Sequence, residues 1–279
     1  MSVIYTIKTN KNIEFKDIFD KLIEKYSNLS AFEEDEENVF FYLNGMSIRG
    51  VYIKKIKTGF EIKNNVLSNK YDLIITNDIL KYISEKTNGK VYGDENNLLS
   101  GDEYINKNEL ENSFERDLET VFKFIRDTND TIEFPGTTRS FFIGKKLYSS
   151  YNDFSKNMKI EVLQKIILNV LYGLPEFFEC SPMGAQSKQD DKIIKLKSIS
   201  SNENCIIQDY DYIMIENTKN SDDIIMISKE TISKILPKNW NFVDESTIIA
   251  YKLDQTEWNN FINICIKENC YNEFKMKAK

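Results

Sequence analysis

Residues 39–63 read VFFYLNGMSIRGVYIKKIKTGFEIK, and this stretch decides the fold class. β-Branched and aromatic residues crowd three short segments, Val39–Leu43, Ser47–Lys54 and Gly59–Lys63, as expected of strands with one buried face. Asn44-Gly45 stands between the first two, and Asn-Gly is a strong hairpin signal because both residues tolerate positive φ. Lys57-Thr58-Gly59 supplies a second turn. The spacing therefore predicts an antiparallel meander.

Working outward, residues 2–8 alternate as a further strand, and Phe15, Ile18, Leu22 and Tyr26 recur at helical spacing over 15–27. On the other side, residues 70–87 carry Tyr71, Ile74, Ile75, Ile79, Tyr82 and Ile83 at helical spacing behind a capping residue, Ser68 or Asn69. Leu73–Thr76 also suits a strand. A single helix is preferred because Asn88-Gly89 offers a left-handed end. With Lys90–Tyr92 as a closing strand, the order β-α-β-β-β-α-β resembles an elaborated split β-α-β unit.

The polar residues 93–107 suggest a boundary, giving subdomains 1–98 and 99–279. In the second part, residues 108–127 and 158–172 predict helices, the latter central and apolar, and 181–191 reads as a mobile loop. A run of strands follows (192–198, 205–207, 210–216, 222–227 and 246–252). Asp254 with Glu257 then opens a final helix. The expectation is an α+β fold of two packed subdomains, with antiparallel-rich sheets and helices on one face.

Composition narrows the chemistry. The chain has no histidine, which removes Ser–His–Asp and Cys–His catalysis and imidazole-dependent zinc sites. Its four cysteines, Cys180, Cys205, Cys265 and Cys270, form no CxxC pair and read as buried thiols of a reducing compartment. No apolar run reaches the length of a signal peptide or a membrane span, so a cytoplasmic location is expected. No cofactor or metal is implied. The net charge of −7 disfavours generic nucleic-acid and membrane binding and favours a basic partner.

Three constellations carry possible chemistry. Phe134-Pro135-Gly136-Thr137-Thr138-Arg139-Ser140, followed by Gly144-Lys145-Lys146, has hydroxyls and cations suited to a phosphate or carboxylate. It lacks P-loop spacing, and a β-turn with internally satisfied hydroxyls is the simpler account. Asp94, Glu95, Asp102 and Glu103 could hold a divalent cation or act as an acid–base pair, but they lack an EF-hand pattern and suit a solvated loop. Finally, Glu33, Glu34, Asp35, Glu36 and Glu37 form an acidic run, and Glu111, Glu115 and Glu119 line one helix face. These acids could steer a basic protein such as a nuclease or a nucleic-acid-binding complex, or simply solvate the surface.

Ser68, Asp72, Thr87-Asn88-Gly89-Lys90-Val91, Glu95, Phe134-Pro135-Gly136 and Asp244-Glu245 together resemble an uncharacterised family of bacterial proteins of similar length. The resemblance implies a bacterial or phage setting, with no activity or site residues to carry over. Two functions stay open. One is a non-enzymatic acidic binding protein, an inhibitor, immunity or defence-related factor. The other is a ligand-binding protein or enzyme centred on Arg139 with Thr137, Thr138, Lys145 and Lys146.

Overall fold

A computed structural model describes residues 2–99, 104–153, 159–199, 202–216 and 224–276. The fold is α+β, with antiparallel-rich sheets, and the chain divides into two compact units, Met1–Gly173 and Leu174–Lys279. The division does not fall in the polar stretch near residue 100. Asn77 Oδ1 accepts the Tyr104 and Ile105 N–H groups, Ile105 is buried in the first core, and Asp117 accepts the Leu67 N–H. The third helix is thereby tied to the N-terminal sheet and helices. Polarity marked a connection but not a boundary.

The N-terminal unit begins β1 (Val3–Lys8), α1 (Phe15–Ile23), β2 (Leu29–Glu33), β3 (Asn38–Leu43), β4 (Val51–Ile56) and β5 (Gly59–Asn64). Then come α2 (Lys70–Thr87), β6 (Lys90–Tyr92) and β7 (Leu98–Leu99). These strands form one seven-stranded sheet in the order β2-β3-β4-β5-β1-β6-β7. The unit continues with α3 (Lys107–Thr128), the hairpin β8 (Ile132–Pro135) and β9 (Ser140–Ile143), α4 (Lys145–Asp153) and α5 (Lys159–Leu168). A π-helical turn, Asn169–Gly173, ends it. Helix α4 and strand β2 were not anticipated. Of β2 only Leu29 is buried, so this edge strand lacks the apolar alternation that announces a strand.

Helices α1 and α2 cover one face of the sheet. Ile18, Leu22, Ile75, Ile79 and Ile83 pack with Tyr5, Ile7, Val39, Phe41, Ile53 and Ile62 in a single core. This burial settles the ambiguity at 73–76. A β-branched residue costs a helix roughly 0.5 kcal/mol against alanine, whereas burying an isoleucine contributes about 1.5–3 kcal/mol. Asn69 caps α2 in a capping box with Asp72, and Asn88 closes it at φ 52°.

The C-terminal unit contains β10 (Phe178–Glu179), β11 (Pro182–Ser187), β12 (Ile193–Ile199), β13 (Cys205–Ile207), β14 (Tyr212–Glu216) and β15 (Ile224–Ser228). It ends with α6 (Lys229–Ile235), β16 (Asn241–Phe242), β17 (Ile248–Ala250), α7 (Gln255–Lys267) and β18 (Phe274–Met276). The sheets run β15-β14-β12-β11-β18 and β10-β13-β17-β16, with parallel pairs among the described residues at β12–β14 and β10–β13 alone. Segment 182–187, expected to be loop, is strand β11, held between β12 and β18 with Ala185 fully buried. Its Pro, Gly and Ser content hid it. Helix α7 carries the anticipated Asp254–Glu257 capping box and buries Trp258, Phe261, Ile262 and Cys265.

Candidate functional site

The Arg139 turn is built as a clasp inside the N-terminal unit. Thr137 Oγ1 bonds the Tyr172 hydroxyl, which also donates to the Ser47 carbonyl at 2.8 Å, and Thr138 Oγ1 donates to the Leu171 carbonyl. The Arg49 guanidinium donates to the Pro135 carbonyl and lies 5.7 Å from the centre of the Phe134 ring. Gly136 has no room for a side chain, since a Cβ there would stand 2.3 Å from Leu171 Cδ2. Both threonine hydroxyls are therefore engaged within the chain. Lys145 and Lys146 open α4 with exposed side chains.

Behind the clasp lies a fully buried carboxylate. Asp72 accepts the N–H groups of Arg49 (3.0 Å), Gly50 (3.0 Å) and Asn69 (2.9 Å). Burial pushes its carboxyl up from the ordinary range, and those donors pull it back. This corrects the expected start of the second meander strand. Ser47 Oγ accepts the Leu43 N–H, Gly50 sits at φ 61°, and β4 begins only at Val51. Asn44-Gly45 thus opens a longer connection rather than a two-residue hairpin.

The acidic run has the opposite character. Glu33 ends β2, and 34–37 turn into β3 with every side chain exposed. Asp35 shapes the turn by accepting the N–H groups of Glu37 and Asn38, both at 2.8 Å, and these donors hold its carboxyl below its usual range. Glu33, Glu36 and Glu37 instead line a groove of about 780 Å³ against the start of α1, where Glu14 and Asp17 join them. Five carboxylates thus face two lysines, Lys16 and Lys55. Lys55 is already committed, 3.0 Å from Glu14 and 4.5 Å over the Phe15 ring. Glu14, Asp17 and Lys55 were missed because a groove joins residues that are remote in sequence.

Glu111, Glu115 and Glu119 are exposed on α3 and do not line this groove. Glu111 lies 3.6 Å from Lys107, while burial, and after it Glu115 and Glu119, raises the Tyr151 hydroxyl. The two acidic sets are separate surfaces. Of the acids at 94–103, Asp94 accepts the Ile4 N–H at 3.1 Å; Asp102, Glu103 and the Glu95 side chain lie outside the described residues. Among the described residues no group of three or more acids and cysteines is placed to hold a metal ion.

Two other concavities are less selective. The cleft of about 450 Å³ between α1 and α2 sets Lys21, Lys25 and Lys81 against Glu24, Asp78 and Glu85, an even balance that favours neither sign. In the C-terminal unit, Lys229 donates to Ser246 Oγ and borders a polar pocket of about 310 Å³. Burial lowers the Lys229 ammonium, with Asp244 opposing. Ser246 is only 2% exposed, so this pair joins α6 to the β16–β17 turn rather than presenting a nucleophile.

Comparison with protein-family models, curated proteins and solved structures gives no match. Among the concavities described above, the acid groove has the largest excess of carboxylates over lysines. No helix among the described residues is long and apolar enough to cross a membrane.

Proposed function

We propose that this chain is a non-enzymatic acidic binding protein that takes a lysine- and arginine-rich protein segment in the groove between α1 and the β2–β3 turn. The observation that carries this reading is the excess of carboxylates over cations around one concavity, with one of its two lysines already paired. Unpaired exposed carboxylates attract a basic chain over roughly a Debye length, about 8 Å at physiological salt, and raise its association rate. An inhibitor, immunity or defence-related factor directed at a basic bacterial or phage protein is the role such a surface suits. The acidic set on α3 lines none of the concavities described above and is assigned to solvation.

The test is fluorescence anisotropy of a labelled Lys/Arg-rich peptide against the full chain at low and high salt. An exposed ion pair contributes roughly 0.2–1 kcal/mol, so replacing Glu33, Glu36 and Glu37 by Gln together should weaken binding about tenfold. The same replacement at Glu111, Glu115 and Glu119 should change it less than about twofold. Equal losses from both triple variants would mean that net charge alone attracts the peptide, and the groove would have no special role.

A further inference from the structure

Strand register determines which side chains share the face of the seven-stranded sheet that α1 and α2 leave uncovered. Tyr5, Ile7, Val39, Phe41, Ile53, Phe60 and Ile62 enter the helix-covered core, so their immediate neighbours in each strand project to the other side. Pairing aligns Phe32, Phe40, Tyr52, Lys63 and Ile4 in one row across β2, β3, β4, β5 and β1. The next row runs Lys54, Glu61, Thr6, Tyr92, Leu98, and the row beyond sets Lys8 directly opposite Lys90.

This face is aromatic and open in part: Phe40, in the middle of the first row, is only 8% exposed and lies against Gly50. Phe32 is 62% exposed, Leu98 57% and Ile4 40%. Phe40 packs against the Tyr42 and Tyr52 rings at centroid distances of 5.6 and 4.7 Å, which gives the row a rigid base. Its charge is also unlike that of the chain as a whole. Like charges directly opposite each other destabilise a sheet. Even so, Lys8 faces Lys90, and neither they nor Lys63 enter an ion pair among the described residues. The Lys8 ammonium stands 4.3 Å over the Tyr92 ring. Among the described residues the carboxylates at this face are Glu61 between Lys54 and Thr6, Glu34 near the Tyr52 hydroxyl, Asp35 near Lys54, and Asp94, which is bonded to the Ile4 N–H.

We propose that this face is a stacking platform for single-stranded nucleic acid, with Phe32 and Tyr52 receiving bases and Lys63, Lys8 and Lys90 receiving phosphates. Flat rings on a sheet take unpaired bases of any identity, and ammonium groups beside them take the backbone. An acidic peptide would satisfy the lysines but leave the rings without partners. The proposal does not rest on the acid groove, which lies on the helix-covered side. The overall charge of −7 lowers the affinity without cancelling the local field, because screening confines each charge to its surroundings.

The experiment is fluorescence anisotropy of a labelled oligouridylate and oligothymidylate of about 12 nucleotides against the full chain over a range of salt. Three phosphate contacts give a slope of about −2 in log affinity against log salt. Phe32→Ala with Tyr52→Ala should weaken binding at least tenfold. Lys8→Glu with Lys90→Glu should weaken it similarly and flatten the slope. Phe32→Ala and Lys90→Glu alone alter exposed side chains, so their losses report on the surface and not on folding. The proposal falls if neither oligonucleotide binds at low salt. It falls equally if Phe32→Ala leaves binding unchanged, or if a labelled oligoglutamate binds as tightly as the oligonucleotides.

Discussion

At one end of β3 the chain turns through Glu34–Glu37 and at the other through Asn44–Gly50, and the two connections dispose of their polar groups in opposite ways. In the second, Ser47 and Arg49 are buried, and Gly50 holds a left-handed conformation in which a Cβ would collide with the Phe40 ring. Its backbone donors converge on Asp72, and its Ser47 carbonyl is held by Tyr172. In the first, the side chains face water, and three of the five acids from Glu33 to Glu37 line the groove. Both segments look alike as sequence, short and polar between strand residues. What separates them is whether a partner from elsewhere in the chain arrives to use the polar groups. Where it does, the polar groups stabilise the fold; where it does not, they remain available to another molecule.

The sharpest way to break this contrast is Asp72→Ala. Loss of the carboxylate removes a helix cap and leaves the Arg49 and Gly50 N–H groups buried without acceptors. The cap is worth about 1 kcal/mol and each of the two orphaned donors about 1–3 kcal/mol, so destabilisation of about 3–7 kcal/mol is expected. Urea unfolding followed by circular dichroism measures it. A loss below about 1 kcal/mol would show that water replaces the carboxylate and that the connection is no better satisfied than the acidic turn.

A smaller effect is expected from Tyr172→Phe. The variant keeps the ring and removes one hydroxyl that serves both Ser47 and Thr137, leaving a carbonyl of a buried residue with a single long contact from Thr137 at 3.5 Å. Destabilisation of about 1–2 kcal/mol should follow in the same unfolding experiment. Replacement of Glu33, Glu36 and Glu37 by Gln should fall within about 0.5 kcal/mol of the parent, since no described hydrogen bond of the fold is lost from those side chains.

These differences also mark what could be read from the sequence. The cap of α7 was legible because Asp254 with Glu257 acts over three residues, whereas that of α2 was narrowed only to Ser68 or Asn69 before the Asn69–Asp72 box settled it. The acids Glu33, Glu36 and Glu37 were legible as an exposed run. The groove was not, because Glu14, Asp17 and Lys55 meet that run only through the packing of α1 and the β3–β4–β5 meander. Ser47 is 90 residues from Thr137 and 125 from Tyr172, so nothing local announced that the Arg139 turn would be closed by its own chain. The open face was hidden for a different reason. The placement of strand residues on one face or the other depends on strand boundaries, and the row from Phe32 to Ile4 exists only once β2, missed in sequence, is paired with β3.

The smallest expected effect sharpens the comparison from the acidic side, because Asp35 is the one member of that turn with an inward task. Its carboxylate accepts the N–H groups of Glu37 and Asn38 and the Asn38 amide, and these bonds hold its folded-state pKa below the value of about 3.9 typical of an unfolded aspartate. A depressed carboxyl contributes stability that is fully present above the unfolded value and is lost as the pH falls through the folded one. The amide proton shifts of Glu37 and Asn38 should therefore hold steady down to about pH 4 and then move together, with a midpoint below the ordinary aspartate range. Asp35→Asn should abolish the transition while leaving the Asp72 connection and the unfolding midpoint at neutral pH nearly unchanged. A midpoint at or above the ordinary value would mean that the turn makes no use of the carboxylate, and that all five acids face outward alike.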